Sequence, residues 1–284
     1  MSSLFDFDSE PTFFAVMGDP IAHSRSPSIH HHFAEQCGKR IRYEKIQVDP
    51  GGFPQAVSSF FANDGRGLNI TVPFKHEAFA LADELSERAQ KAKAVNTFIP
   101  VPNGLKGDNT DGIGFVRDLR DNHQCALAAK GVLILGAGGA SRGVLGPILE
   151  ERPQQLFIAN RTPDKAEALA QEFAQLGTIA GGGYKQLEGQ QFDIVINATS
   201  ASLSGDLPPL PDQLLREGAW CYDMMYGKED TVFMRWAREH GAQHVTDGLG
   251  MLVEQAAEAF AQWHGVHPKT QSVIAALRAE LNAT

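Results

Sequence analysis

The sequence predicts an α/β protein of two domains with mostly parallel sheets, and three observations carry that prediction. Its 284 residues are nearly twice the ~150 typical of one domain. Strand-like and helix-like runs alternate from end to end, the rhythm of helices covering a parallel sheet. Near the middle, an apolar run at residues 132–135 enters a glycine cluster, followed by a helical stretch and a second apolar run at 156–159. That is a βαβ unit of about 30 residues.

The elements follow in order. Residues 13–17, 43–48 and 68–72 read as strands, separated by helical stretches near 28–36 and 53–61, and residues 97–101 add another strand. After the βαβ unit come a helix around 165–173, a buried strand at 194–196, a further strand near 220–223 and a short one at 244–246. Two helices, at roughly 251–263 and 270–281, close the chain. No Pro/Gly/Ser-rich linker appears, so two domains in direct contact are expected rather than two on a tether.

Composition narrows the function. With 43% hydrophobic and 21% charged residues the chain lies in the ordinary globular range, away from the disordered corner. Acidic residues outnumber basic ones by 34 to 25, for a formal charge of −9, which disfavours nucleic acid or an anionic membrane as partner. No stretch approaches the ~20 apolar residues of a membrane span, and the first residues (Phe5, Asp6, Phe7, Asp8, Glu10) are acidic where a signal peptide is basic. A cytoplasmic protein is expected. Cys37, Cys125 and Cys221 are odd in number and widely spaced, so they read as packing thiols rather than a disulfide or zinc framework. His30, His31 and His32 point about 100° apart on a helix and cannot converge on one metal.

Gly136-Ala137-Gly138-Gly139-Ala140-Ser141 occupies the strand-to-helix turn of the βαβ unit. Glycines there let the backbone approach a pyrophosphate, and the helix N–H groups bind it. At the end of the second strand, where an acid would accept from the ribose of NAD, stands Asn160-Arg161-Thr162, with Lys165 one turn on. Guanidinium geometry suits a 2′-phosphate, which favours NADP; the plainer reading of Arg161 and Lys165 is a solvated helix start. Asn197-Ala198-Thr199-Ser200 places polar groups at a strand's carboxyl end, where they either line the cofactor or stabilise the turn.

In the first third, Ser24-Arg25-Ser26-Pro27 precedes a helix with Ser26 in N-cap position. Capping accounts for much of this pattern, and two hydroxyls at a helix N-terminus also make a carboxylate trap. Residues 69–75 run off a strand with Asn69 and Thr71 on one face, and Lys75 begins the next helix, where the dipole disfavours its cation. Asp111 ends the turn Gly107-Asp108-Asn109-Thr110-Asp111-Gly112, as a helix cap or a functional acid. The turn's acidic spacing does not match a calcium loop.

Taken in order, these blocks resemble the shikimate dehydrogenase family over almost the whole chain. Further blocks carry the likeness: Gly18 to Pro20 with His23, Ala94-Val95-Asn96-Thr97, Tyr222-Asp223-Met224-Met225-Tyr226, and the run from Asp247-Gly248-Leu249 to Glu254-Gln255. The resemblance implies a discontinuous substrate domain, residues 1–111 plus 248–284, around a Rossmann-like NADP-binding domain of residues 112–247. It implies that Ser24 and Ser26 hold the substrate carboxylate, that Thr71, Lys75, Asn96, Asp111 and Gln255 surround its ring hydroxyls and carbonyl, and that Tyr226 contributes from the opposite side. Cofactor contacts fall to Gly136, Ala137, Gly138, Gly139, Ala140, Asn160, Arg161, Thr162, Lys165, Thr199, Met224 and Gly248.

The implied reaction is the reversible reduction of 3-dehydroshikimate to shikimate by NADPH, a step towards chorismate and the aromatic amino acids. The implied partners are this small-molecule substrate and NADP, with the chain as monomer or homodimer. Lys75 and Asp111 are the implied catalytic pair, the ammonium donating a proton to the developing alkoxide and the carboxylate orienting it or sharing the proton. The sequence departs from the family at Ser202, where a glycine is usual. Competing expectations are a quinate/shikimate relative of broader cofactor use, a non-catalytic NADP(H)-responsive binding protein, and a folate dehydrogenase of similar architecture. Arg161, the retained Lys75 and Asp111, and the paired serines argue against these in turn.

Overall fold

A computed structural model describes residues 10–199, 201 and 205–283. The stretch Phe5 to Asp8, with its two aspartates, and two positions singled out in the sequence, Ser200 and Ser202, lie outside the described residues. The chain divides into two compact units, one running to Thr110 and including Ala256–Lys269, the other comprising Asp111–Gln255 and the end of the chain from Thr270.

The first unit holds β1 (Thr12–Gly18), α1 (Ser26–Gln36), β2 (Ile41–Gln47), α2 (Phe53–Ala62), β3 (Gly65–Ile70), α3 (Lys75–Leu81), β4 (Glu84–Leu85), α4 (Glu87–Ala92), β5 (Thr97–Val101) and β6 (Gly104–Asp108). The sheet order is β2-β1-β3-β5-β6-β4. Pairing is parallel from β2 through β1 to β3 and between β4 and β6, and antiparallel where β5 meets β3 and β6. Successive residues of β1 serve opposite faces: Ala15 and Met17 join Phe53, Val57 and Phe74 in one core, while Phe14 and Val16 join Tyr43 and Ile21 in another. β3 starts and ends earlier than the expected 68–72. It stops at Ile70, and Val72, 69% exposed, precedes a cis Pro73 that cannot continue the ladder.

The second unit begins with α5 (Asp111–Arg117) and a π-helical turn (Asp118–Asn122). It continues with β7 (Gly131–Leu135), α6 (Gly139–Glu150), β8 (Gln155–Ala159), α7 (Pro163–Phe173), β9 (Ile179–Gly182), a 3₁₀ turn (Tyr184–Leu187), β10 (Phe192–Asn197), β11 (Leu215–Asp223), α8 (Val232–Glu239) and β12 (His244–Asp247). Helices α9 (Leu249–His264) and α10 (Gln271–Ala283) follow. All pairings here are parallel, and the order β9-β8-β7-β10-β11-β12 is that of a doubly wound dinucleotide fold. The apolar runs of β7 and β10 are continuous because both faces are covered: Val132 and Ile134 face one core with α6 and α7, and Leu133 and Leu135 face the other with Phe233 and Trp236.

The units part company with the expected domain limits in the carboxyl-terminal helices: residues up to Gln255 and all of α10 fall in the second unit. The contacts explain this. A β-carbon on Gly114 would stand 2.6 Å from the Gln255 nitrogen, one on Gly250 would meet the Asp118 carboxylate, and Arg278 pairs with Asp247. Among the described residues no helix is long and apolar enough to cross a membrane, and no group of His, Cys, Asp and Glu side chains could hold a metal ion. The three cysteines are free thiols; burial pushes Cys125 up to about 11 and Cys221 to about 12, which leaves both protonated and inert at neutral pH.

Candidate active site

The polar constellation of the first unit lies beyond the strand ends. Ser24 and Ser26 stand together, their hydroxyls 3.2 Å apart. Helix α1 begins at Ser26 itself, so Ser26 is the first helical residue rather than the expected cap. The Ser24 hydroxyl takes the capping part, accepting from the Ser26 N–H at 3.3 Å, with Pro27 in the first turn, where its missing N–H costs nothing.

Thr71 follows β3 directly and is held by its N–H to the Met17 carbonyl. Its methyl lies over Gly18, where a β-carbon would come within 2.5 Å of it. Lys75 is the first residue of α3, half-buried, and its carbonyl accepts from Val95 N–H at 2.9 Å. Asn96, only 2% exposed, has its amide plane fixed: Nδ2 donates to Thr110 Oγ1 at 3.0 Å while Oδ1 accepts from Thr110 N–H and from Thr97 Oγ1. Asn69 turns inward instead of lining a cleft, accepting from the Tyr43 hydroxyl at 2.7 Å and donating to Thr97.

A support that sequence reading missed lies behind this strand end. Asp108 is buried at the end of β6 and receives Arg88, Ser86, Gln262 and the Asn109 N–H. Burial pushes its carboxyl up, and these donors outweigh burial to hold it below the usual carboxylate range.

In the second unit the glycine turn sits at the topological switch point between β7 and β10. Gly136, with φ of +102°, takes a conformation that disfavours side chains, and a β-carbon there would lie 3.0 Å from the Thr199 methyl. Ser141 ties the turn, donating to the Gly136 carbonyl at 2.7 Å. Gly138 and Gly139 open α6 with no side-chain cap, and β-carbons on them would meet nothing within 4 Å. An uncapped helix N-terminus facing open space fits a dinucleotide pyrophosphate. Beside it, at the end of β8, Asn160 Nδ2 donates to the Thr162 carbonyl at 2.9 Å, and Arg161, Thr162 and Lys165 are exposed at the start of α7.

Across the crevice, Thr199 donates to Asn197 Oδ1 at 2.7 Å, and Asn197 donates to the buried Asp223. Asp223 also receives Met225 N–H and the Thr231 hydroxyl, so one carboxylate ties the ends of β10 and β11 to the loop carrying Met224 and Tyr226. Gly248 fits beneath that loop because it has no side chain: a β-carbon would stand 2.2 Å from the Met224 carbonyl. Asp111, the first residue of α5, and Gln255, which donates to the Leu252 carbonyl at 2.8 Å, also lie in this unit. A strand ending in a buried aspartate, as at Asp223 and Asp247, is the sequence signal that would have found these tethers.

Known proteins align with these features. The profile described as shikimate dehydrogenase substrate binding domain matches residues 16–98, that of shikimate / quinate 5-dehydrogenase matches 119–204, and that of the shikimate 5'-dehydrogenase C-terminal domain matches 248–278. A Cellvibrio japonicus protein named shikimate dehydrogenase (NADP(+)) is 58% identical over 270 residues, covering 95% of this chain and 98% of its own. The crystal structure of an Ael1 enzyme from Pseudomonas putida superimposes with a TM-score of 0.89 at 47% identity over 95% of this chain and 98% of that one. Shikimate 5-dehydrogenase from Thermus thermophilus, solved with NADP(H) and shikimate, gives 0.82 at 34% over 95% and 99%.

Proposed function

Because the chain belongs to the shikimate dehydrogenase family, we propose that it catalyses the reversible NADP-dependent interconversion of shikimate and 3-dehydroshikimate. The observation that carries this reading is the open glycine crevice at the switch point with Arg161, not an acid, at the end of the second strand. Gly136 to Ala140 and Thr199 hold the pyrophosphate and ribose side. Asn160, Arg161, Thr162 and Lys165 take the adenosine 2′-phosphate, and Met224 and Gly248 take the nicotinamide side. We assign substrate binding to residues 1–111 with 248–284 and cofactor binding to 112–247.

When bound, NADPH supplies the hydride that reduces the ring ketone. The chain's own residues bind, orient and move the proton. Ser24 and Ser26 donate to the substrate carboxylate, while Thr71, Asn96, Tyr226 and Gln255 fix the ring hydroxyls. The Lys75 ammonium donates its proton to the oxygen that becomes an alkoxide, and its charge stabilises that oxygen as it forms. Asp111 orients the ammonium or shares the proton. We infer further a cytoplasmic protein, monomer or homodimer, acting on a small-molecule substrate.

The test follows nicotinamide absorbance with the purified protein in four mixtures, shikimate or quinate with NADP or NAD. Turnover confined mainly to shikimate with NADP is expected. In the Arg161→Ala protein the NADP rate at limiting cofactor should fall far more than the NAD rate. Comparable quinate or NAD turnover by the unaltered protein would move it to a broader-specificity relative. Tight NADP binding without turnover would make it a binding protein.

A further inference from the structure

The carboxyl-terminal helix carries a guanidinium that no step above uses. Arg278 of α10 donates from Nη1 to the Gly227 carbonyl at 3.0 Å and from Nη2 to Asp247 Oδ1. Its two prongs therefore reach two segments far apart in sequence. One is the loop after β11 that carries Met224 and Tyr226; the other is the end of β12, one residue before Gly248.

These segments already meet at one point, where Gly248 N–H donates to the Met225 carbonyl at 3.1 Å. Asp247 Oδ1 also accepts from Leu249 N–H, so the carboxylate that Arg278 grips sets the first turn of α9 as well. A cavity of about 160 Å³ lies beside the loop. Residues 227–230 form one wall of it, and Arg278 borders the same cavity. Asp223 fixes the two ends of the loop, through Met225 N–H and Thr231 Oγ1; between those ends Arg235 and Arg238 hold Asp230, and Arg278 holds the Gly227 carbonyl.

We infer that Arg278 is a positioning residue, a two-pronged clamp that holds the Met224 to Gly227 segment and Gly248 in register for the nicotinamide end of the cofactor. This rests on the function proposed above. A planar guanidinium suits the task because its donors diverge in a fixed fork, so one side chain satisfies a carbonyl and a carboxylate at once. Losing the clamp lets the loop move into the cavity, and a displacement of about 1 Å at a reacting group costs up to about a hundredfold in rate. The adenosine end, bound at the other strand ends, is untouched.

The experiment compares the full-length protein with Arg278→Met and Arg278→Lys. It measures kcat at saturating shikimate and NADP, and the Kd of 2′-phospho-ADP-ribose, which carries the adenosine, 2′-phosphate and pyrophosphate without nicotinamide. Arg278→Met should lower kcat roughly ten- to a hundredfold while the Kd for 2′-phospho-ADP-ribose stays within about twofold. Arg278→Lys, with one point charge for two prongs, should fall in between. A methionine variant with kcat within twofold of the unaltered protein, or with both measurements impaired alike, would overturn the clamp.

If the methionine variant does not fold, the lysine variant carries the same test, and an unchanged kcat in it overturns the inference. Should the unaltered protein fail to turn over shikimate, the proposed reaction falls on its own. The clamp is then read from binding: Arg278→Met is expected to weaken NADP but not 2′-phospho-ADP-ribose, and equal affinity of the variant and the unaltered protein for both ligands rejects it.

Discussion

A lysine at the start of a helix meets the positive end of the helix dipole, and Lys75 is such a residue, half-buried at the first position of α3. Its backbone is pinned by Val95 N–H, which fixes where the side chain leaves the helix. If that ammonium gives its proton to the alkoxide, Lys75→Ala should lower kcat by about two to four orders of magnitude. KM for shikimate should change less if, as proposed, Ser24 and Ser26 hold the carboxylate. Steady-state kinetics with a matched melting temperature decide this, and full turnover at saturating shikimate would remove Lys75 from catalysis. At this scale the sequence was legible wherever a residue acts through its neighbours in the chain, as with Gly136 to Gly139 at a strand's end or Pro27 in a first turn. It was opaque wherever partners are distant: Asp108 draws Arg88 and Gln262, and Tyr222 donates to Asp118 across a separation of 104 residues.

At the scale of elements, the strongly apolar strands β1, β5, β7, β8 and β10 stood out in the sequence because burial on both faces, or strict alternation, leaves a periodic mark. The edge strands β4 and β9 did not, being short and partly exposed. Glycines misled in the opposite direction. Gly112 reads as the end of a turn, yet with Gly114 it lies inside α5 and lets helices approach. A β-carbon on Gly112 would stand 2.4 Å from the Gly143 carbonyl of α6, and one on Gly114 would stand 2.8 Å from the Gln255 Cα of α9. These are backbone neighbours, which cannot rotate aside. Although alanine is the better helix former, Gly114→Ala should therefore destabilise by about 1–3 kcal/mol through overpacking. Urea melts would read it, and a midpoint equal to or above that of the unaltered protein would show that α9 yields at no cost.

At the scale of the whole molecule, the two units carry buried ionisable groups of opposite acid response. In the first, His30 is 1% exposed and stacks on Tyr43 at 4.4 Å between ring centroids. Burial, with His264 nearby, lowers its pKa to about 3, and burial also brings His264 to about 4. Between these values and the ordinary 6.5 the unfolded chain binds protons that the folded unit does not, so stability is complete above pH 6.5 and is lost as pH falls below it. For His30 the loss is about 1.4 kcal/mol per pH unit, or about 2 kcal/mol from pH 7 to pH 5. Asp108, held low, adds a further loss only below its unfolded value near 4. In the second unit, burial raises Asp118 against hydrogen bonds from Tyr222 and Asn122. Its sign is reversed: the folded carboxyl takes up a proton before the unfolded one, and acid relieves a cost present at neutral pH. Mild acid should therefore loosen the first unit while sparing the second. Hydrogen exchange at pH 7 and pH 5, corrected for intrinsic rates, should show protection falling in β1, β2 and α1 but not in β7, β8 and β10. His30→Phe keeps the aromatic stack without the titrating ring, and should remove about half of that difference, the remainder staying with His264. Equal loss in both units, or a pH response unchanged in His30→Phe, would show that the buried histidine does not set the acid limit of the fold.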